Sequence, residues 1–240
     1  SKLGKVFAVG VGPGSPKYVT EVVADIIRSC DIVIGYKYTL KTIEDLLDGK
    51  EVHEITMSNQ EESYQKIFPV LGERTMVVPF TGDVNFSESE VVDRLIEIFG
   101  EVEVIPGISS IQVAAAKTRV PLDKSKVITM HVTTPIVDKK LELQKALIDG
   151  YSVILVPRPW PKQPDKHFMP SEIAFYLKNN HFKTEKMKVH VFESLTTENE
   201  TSFEGTVEDL EGKEFSDLSV MVFNQTSLDS YMNYRWQWET

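Results

Sequence analysis

The sequence predicts an α/β protein of two domains, on three observations. Short runs rich in Val and Ile alternate with amphipathic stretches along the chain. Glycine-bearing loops follow several of those runs, at the places where open parallel sheets gather their ligands. The length of 240 residues, with 41 % hydrophobic and 26 % charged content, suits one large globular domain or two small ones.

Taken in order, residues 6–11 form a first strand, followed by a glycine loop and a helix over 19–29. A second strand covers 31–35, a helix 39–47 and a third strand 51–55. A helical pattern runs over 61–71, with Pro69 weakening its end. A fourth strand over 75–79 is almost continuously apolar. Val91, Val92, Leu95, Ile96 and Phe99 then mark one helix face, and Gly100 stands where a helix stops. A fifth strand at 102–105 leads into a small-residue helix over 109–118. Repeated strand–helix units of this kind predict a mostly parallel, covered sheet.

Val120-Pro121-Leu122-Asp123 marks the expected domain boundary, giving domains of 1–118 and 119–240. Beyond it, 126–130, 152–156, 188–192 and 218–223 read as strands, and 141–148 and 171–177 as helices. Residues 200–206 read as an extra hairpin strand, so the second sheet is expected to mix pairing directions. Four prolines in 157–164 predict a constrained loop.

A net charge of −10 argues against a nucleic-acid partner. The longest apolar runs fall short of a membrane helix, and 6–11 is too short for a signal peptide. Cys30 is the only cysteine, so no internal disulfide forms and a reducing compartment is expected. The histidines at 53, 131, 167, 181 and 190 show no metal-ligand spacing, and no metal site is expected.

Three segments can carry chemistry. The first is Val9-Gly10-Val11-Gly12-Pro13-Gly14-Ser15-Pro16, where glycines allow positive φ and close backbone approach to a ligand. A dinucleotide loop would want a third glycine where Ser15 stands, and Pro13 removes an N–H that a phosphate would need. The second is Phe80-Thr81-Gly82-Asp83-Val84-Asn85-Phe86, whose Gly-Asp pair is expected to offer free N–H groups beside a carboxylate. The third is Ile105-Pro106-Gly107-Ile108-Ser109-Ser110-Ile111, where a strand ends and a serine starts a helix. All three follow strands of the first half and are expected to converge.

In these three segments the sequence resembles the tetrapyrrole methylases. That family opens with a V-G-x-G-P-G-D-P loop, carries G-D-P-x-F-Y-G after its fourth strand and starts a helix with P-G-[IV]-[ST]-S. Residues 105–112, Ala114-Ala115-Ala116 and Val120-Pro121-Leu122-Asp123 look most like its cobalt-precorrin-7 C5-methyltransferase branch, also called precorrin-6Y C5-methylases. Glu193-Ser194-Leu195, Gly205-Thr206 and residues 218–222 match that branch too. The middle motif departs from the family pattern: Val84 replaces Pro, Ser87 replaces Tyr and Glu88 replaces Gly.

The resemblance implies two α/β domains with a cofactor cleft between them, S-adenosyl-L-methionine as methyl donor, S-adenosyl-L-homocysteine as product, and a cytoplasmic homodimer. It implies C-methylation of a cobalt-precorrin or precorrin in cobalamin biosynthesis. Gly12, Pro13, Gly14, Gly82, Asp83, Val84, Ser109, Ser110 and Ile111 would hold the cofactor, with Val156 meeting it from the second half. Tyr36, Lys37 and Arg158 are candidates for binding the carboxylated substrate. No catalytic base is assigned. Uroporphyrinogen methyltransferase and diphthine synthase are rival branches, the second opposed by residues 106–112. A nicotinamide-dependent oxidoreductase and a non-catalytic binding relative stay open as other classes.

Overall fold

The computed structural model describes residues 4–225. The ends of both expected domains, 1–3 and 226–240, lie outside the described residues. The chain divides into two compact units, Ser1–Ser110 and Ile111–Thr240.

In the first unit, strands β1 (Val6–Gly10), β2 (Ile32–Tyr36), β3 (Glu51–Ile55), β4 (Met76–Phe80) and β5 (Glu103–Ile105) form one sheet in the order β3-β2-β4-β1-β5. Every pairing in it is parallel. Helices α1 (Glu21–Ser29), α2 (Lys37–Thr42), α3 (Gln60–Leu71) and α4 (Ser89–Phe99) accompany it. Strand alternation divides the apolar residues between two cores. Val6, Ala8, Ile32, Ile34, Met76 and Val78 pack with Tyr64, Ile67 and Leu71 of α3 and Leu95 of α4. Val9, Val33 and Val77 face the other way, onto Val23 and Ile27 of α1 and Leu40 of α2. Each Val, Leu, Ile or Met among them contributes roughly 1.5–3 kcal/mol on full burial.

Local chemistry sets the helix ends. Thr20 caps α1, its Oγ1 accepting from Val23 N at 3.2 Å. Gly100 ends α4 at φ 89°. Pro69 lies inside α3 and does not end it; the helix runs on to Leu71, before Gly72 at φ 62°. The helix expected over 39–47 is broken. Ile43, buried in the core, leaves helical geometry at φ −111° and separates α2 from a 3-10 turn at Glu44–Leu46.

The second unit takes in most of α5 (Ser110–Thr118), then β6 (Ser125–Thr129), α6 (Val137–Ile148) and β7 (Ser152–Val156). A two-residue hairpin of β8 (Arg158–Pro159) and β9 (His167–Phe168) follows. The chain continues through α7 (Pro170–Asn179), β10 (Lys188–Glu193), β11 (Thr201–Thr206) and β12 (Ser219–Phe223). The five long strands are ordered β11-β10-β12-β7-β6. Among the described residues only β6–β7 is a parallel neighbour pair in this sheet; β7–β12, β10–β12 and β10–β11 are antiparallel. One core joins Ile128, Val153, Leu155, Val189, Val191, Met221 and Phe223 to Leu143 of α6 and Ile173 of α7.

The division between the units falls at the start of α5, ahead of the boundary read from Val120–Asp123. The end of α5 is tied into the second unit. Thr118 O accepts from Asn224 Nδ2 at 3.2 Å, and Lys117 pairs with Glu200 at 3.2 Å.

Candidate functional site

Strands β4, β1 and β5 are adjacent, so the loops at their carboxyl ends are neighbours. They meet main chain to main chain. Gly82 N donates to Gly12 O at 2.7 Å, and Gly12 N donates to Gly82 O at 3.3 Å. Gly107 N donates to Asp83 Oδ1 at 3.1 Å. A Cβ on Gly10 would stand 2.4 Å from Gly82 O and 2.7 Å from Gly107 N. One on Gly107 would stand 2.4 Å from Gly82 O and 2.5 Å from Gly10 C. Gly12 and Gly82 also have φ of +85° and +77°, which L side chains rarely adopt. The first-half loops therefore converge as their positions in the sequence predict, with Gly10 added. A glycine ending a strand is the signal that could have marked it.

The Gly-Asp pair works differently from the expectation. Gly82 N–H is not free but engaged by Gly12, and an Asp83 carboxylate oxygen is held by Gly107. Asp83 thus ties the second loop to the third. Val84 is fully buried in the first unit's core, so its side chain is not available to a ligand. Pro13, Ser109 and Ile111 are also buried, while Gly14 and Ser110 are partly exposed. Thr81 is exposed beside this junction, its hydroxyl 3.0 Å from that of buried Thr39. No sequence signal joined those two threonines.

Tyr36 ends β2, and its hydroxyl donates to Gln60 Oε1 at 3.0 Å. Its ring packs on the core that holds Tyr64, whose own hydroxyl is buried without a hydrogen-bond partner. Glu88, before α4, has its carboxyl pushed up to about 7 by burial. Burial, then the Glu88 charge, raises the Tyr36 phenol. Lys37 is exposed at the first position of α2.

In the second unit, Val156 ends β7 in register with Thr129 of β6. Arg158 follows, with 2 % exposure. Its Nη2 makes one long hydrogen bond, to Thr133 O at 3.5 Å, and its Nε is buried with no partner. The guanidinium lies 5.8 Å from the Trp160 ring centroid, and it has no ion-pair partner among the described residues. A buried cation left this way is costly, and an arriving anion would relieve it. The sequence marked Arg158 as a candidate cation, but its burial is a tertiary fact. His131 stacks on Trp160 at 4.9 Å and 27°.

Among the described residues no cluster of ligating side chains suits a metal ion, and no helix is long and apolar enough to cross a membrane. The order β3-β2-β4-β1-β5 also differs from a dinucleotide-binding sheet, in which the first strand lies next to the second. Here β4 separates them, which counts against the nicotinamide alternative.

Residues 5–211 match the family described as Tetrapyrrole (Corrin/Porphyrin) Methylases. The chain belongs to that family. A probable cobalt-precorrin-7 C(5)-methyltransferase of Methanocaldococcus jannaschii is 28 % identical over 221 residues, covering 91 % of this chain and 97 % of that one. A cobalt-precorrin-4 C(11)-methyltransferase of the same organism is 31 % identical over 55 % of this chain and 53 % of its own length. Solved tetrapyrrole methylases share the fold. The methyltransferase CobJ superposes with a TM-score of 0.75 at 17 % identity, over 93 % of this chain and 95 % of its own. A precorrin-6Y methylase of Archaeoglobus fulgidus gives 0.66 at 22 % identity, over 93 % of this chain and all of its own (100 %).

Proposed function

We propose that this tetrapyrrole methylase transfers a methyl group from S-adenosyl-L-methionine to C5 of a cobalt-precorrin in cobalamin biosynthesis. The observation that carries the reading is the main-chain junction of three loops at the carboxyl ends of β4, β1 and β5. The C5 position is supported by the motifs at residues 105–123 and by the full-length similarity to a relative named for that activity.

The junction suits the cofactor. Positive φ at Gly12 and Gly82 turns main-chain groups in directions a side-chain-bearing residue resists. A Cβ at Gly82 would meet only Ser109 Cα, at 3.7 Å, so this loop keeps space beside it. At Gly12–Gly14, Gly82–Val84 and Ser109–Ile111, main-chain groups outside the Gly12–Gly82 pairing, with the Thr81 hydroxyl, would hold an amino acid and a nucleoside by hydrogen bonds. Bound there, S-adenosyl-L-methionine supplies a methyl group already electrophilic on sulfur. The protein then needs no nucleophile of its own, and its work is positioning, which is worth several kcal/mol. Arg158 serves the substrate, donating charge-assisted hydrogen bonds to a ring carboxylate. Tyr36 and Lys37 are further proposed substrate contacts on the first unit. The same reading takes the enzyme as a cytoplasmic homodimer, which light scattering on the purified protein tests.

S-adenosyl-L-homocysteine at about 100-fold excess over its Kd should stabilise the fold by roughly 2.7 kcal/mol. No shift in Tm at millimolar ligand overturns the cofactor assignment. Labelled methyl transfer to a cobalt-precorrin, with the product carbon located by NMR, tests the position; label at another ring carbon moves the enzyme to another branch.

A further inference from the structure

The carboxyl ends of β6 and β7 form the one place in the second sheet where parallel neighbours end side by side. Thr129 and Val156 are the last register pair, and Met130 N donates to Val156 O at 2.8 Å. His131 and Arg158 follow those two strand ends at equal distance along the chain. Both lie against one ring: the Arg158 guanidinium 5.8 Å from the Trp160 centroid, the His131 imidazole stacked on it at 4.9 Å. Arg158 is buried with an unpartnered Nε, while His131 is open to solvent. One aromatic ring thus carries a buried cation and an exposed titratable donor. Burial pushes the His131 imidazole below its ordinary value, the Asp217 carboxylate opposes that shift, and Arg158 is the cation sharing its aromatic neighbour.

Resting on the methyltransferase reading above, we propose that His131, Trp160 and Arg158 form a carboxylate cradle for one acid side chain of the tetrapyrrole. His131 is the specificity-determining second donor. Arg158 takes one carboxylate oxygen through the Nε that now lacks an acceptor, and protonated His131 takes the other. Trp160 holds both donors in place. An ester in the same position carries no charge and cannot draw the proton onto His131, so the cradle selects free acids.

The test titrates the full chain with cobyrinic acid, a polycarboxylate corrin, and with its fully methyl-esterified form, at pH 6 and pH 8. His131→Phe keeps the aromatic stack and removes the donor; His131→Gln keeps a neutral donor. The wild type should bind the acid more tightly at pH 6 than at pH 8, because a bound carboxylate draws a proton onto His131, against the burial that pushes its imidazole down, more readily at the lower pH. His131→Phe should lose about tenfold in affinity at pH 6 and less at pH 8, within the range of a hydrogen bond to a charged group. His131→Gln should flatten the pH profile. Binding of the ester and of S-adenosyl-L-homocysteine should be the same in all three proteins. Unchanged acid affinity in His131→Phe at both pH values overturns the cradle, as does a wild type that binds acid and ester equally or neither. If that happens while S-adenosyl-L-homocysteine still binds and methyl transfer proceeds, the function stands and only the cradle falls. Failure of all three marks the functional reading itself as wrong.

Discussion

In the first unit, Gly10, Gly12, Gly82 and Gly107 let three loops close on one another, two by main-chain hydrogen bonds and the third onto the Asp83 carboxylate, whereas in the second Arg158, Trp160 and His131 gather around a side-chain charge. The first arrangement depends on the absence of side chains. It should be hard to mutate without harm to the fold and indifferent to salt. The second depends on a buried cation that the fold leaves uncompensated. It should be easy to mutate without harm to the fold and sensitive to the charge of its ligand. A main-chain site is bound up with folding; a side-chain site is carried by a fold that would stand without it.

The largest expected effect is on the glycine side. Gly107→Ala places a Cβ against Gly82 O and the Gly10 main chain, neither of which is a flexible group that can give way. Stability in denaturant titration should fall by about 3 kcal/mol or more. A variant as stable as the wild type would mean that the three loops can move apart and that the junction does not depend on bare glycine main chain.

Arg158→Ala should act on binding. Its loss should weaken a tetrapyrrole polycarboxylate by about 1.5–3 kcal/mol, because the contact is sheltered from water. Calorimetry should find S-adenosyl-L-homocysteine affinity unchanged. Arg158→Met should not lower stability, since an apolar side chain avoids the cost of burying an unpaired charge. If both ligands weaken together, Arg158 braces the structure instead.

Glu88 puts a titrating group in the first unit, whose loops close mainly through glycine main chain. Its folded carboxyl titrates at about 7, above its ordinary 4.5, because burial disfavours the ionised form. The folded state therefore binds more protons than the unfolded state between those values. The Glu88 contribution is full at low pH and is lost as pH rises towards 7. Glu88→Gln should flatten that part of the stability curve and raise stability at pH 8 by roughly 1–2 kcal/mol. Cofactor affinity should stay the same. An unaltered pH profile would mean that water reaches the carboxylate.

The smallest effect belongs to Lys37, the exposed counterpart of Arg158. Lys37→Ala should cost less than about 1 kcal/mol in substrate affinity, and salt should abolish the difference. A loss as large as that of Arg158→Ala would make the first unit a charged site as well.

The elements of both sheets were readable because alternation and helical periodicity are local. Strand ends were found to within a residue or two, as for 51–55 and 152–156. The misplacements have tertiary causes. Ile43 breaks a helix where its side chain enters the core, whereas the helix read over 61–71 holds with Pro69 inside it. The hairpin of β8 and β9 was read only as a proline-rich loop, since two-residue strands leave no periodicity to detect.

By itself the sequence determined the α/β class, the mixed character of the second sheet, the three loops and their likeness to the tetrapyrrole methylases. Each of these depends on residue types at short spacing. Only the tertiary structure decided that β4 lies between β1 and β2, that Asp83 faces Gly107, and that Val84 belongs to the core. It alone joined Arg158 and His131 on one tryptophan. Strand order and burial are set by how distant segments pack, and a charge is orphaned only once every neighbour is in place.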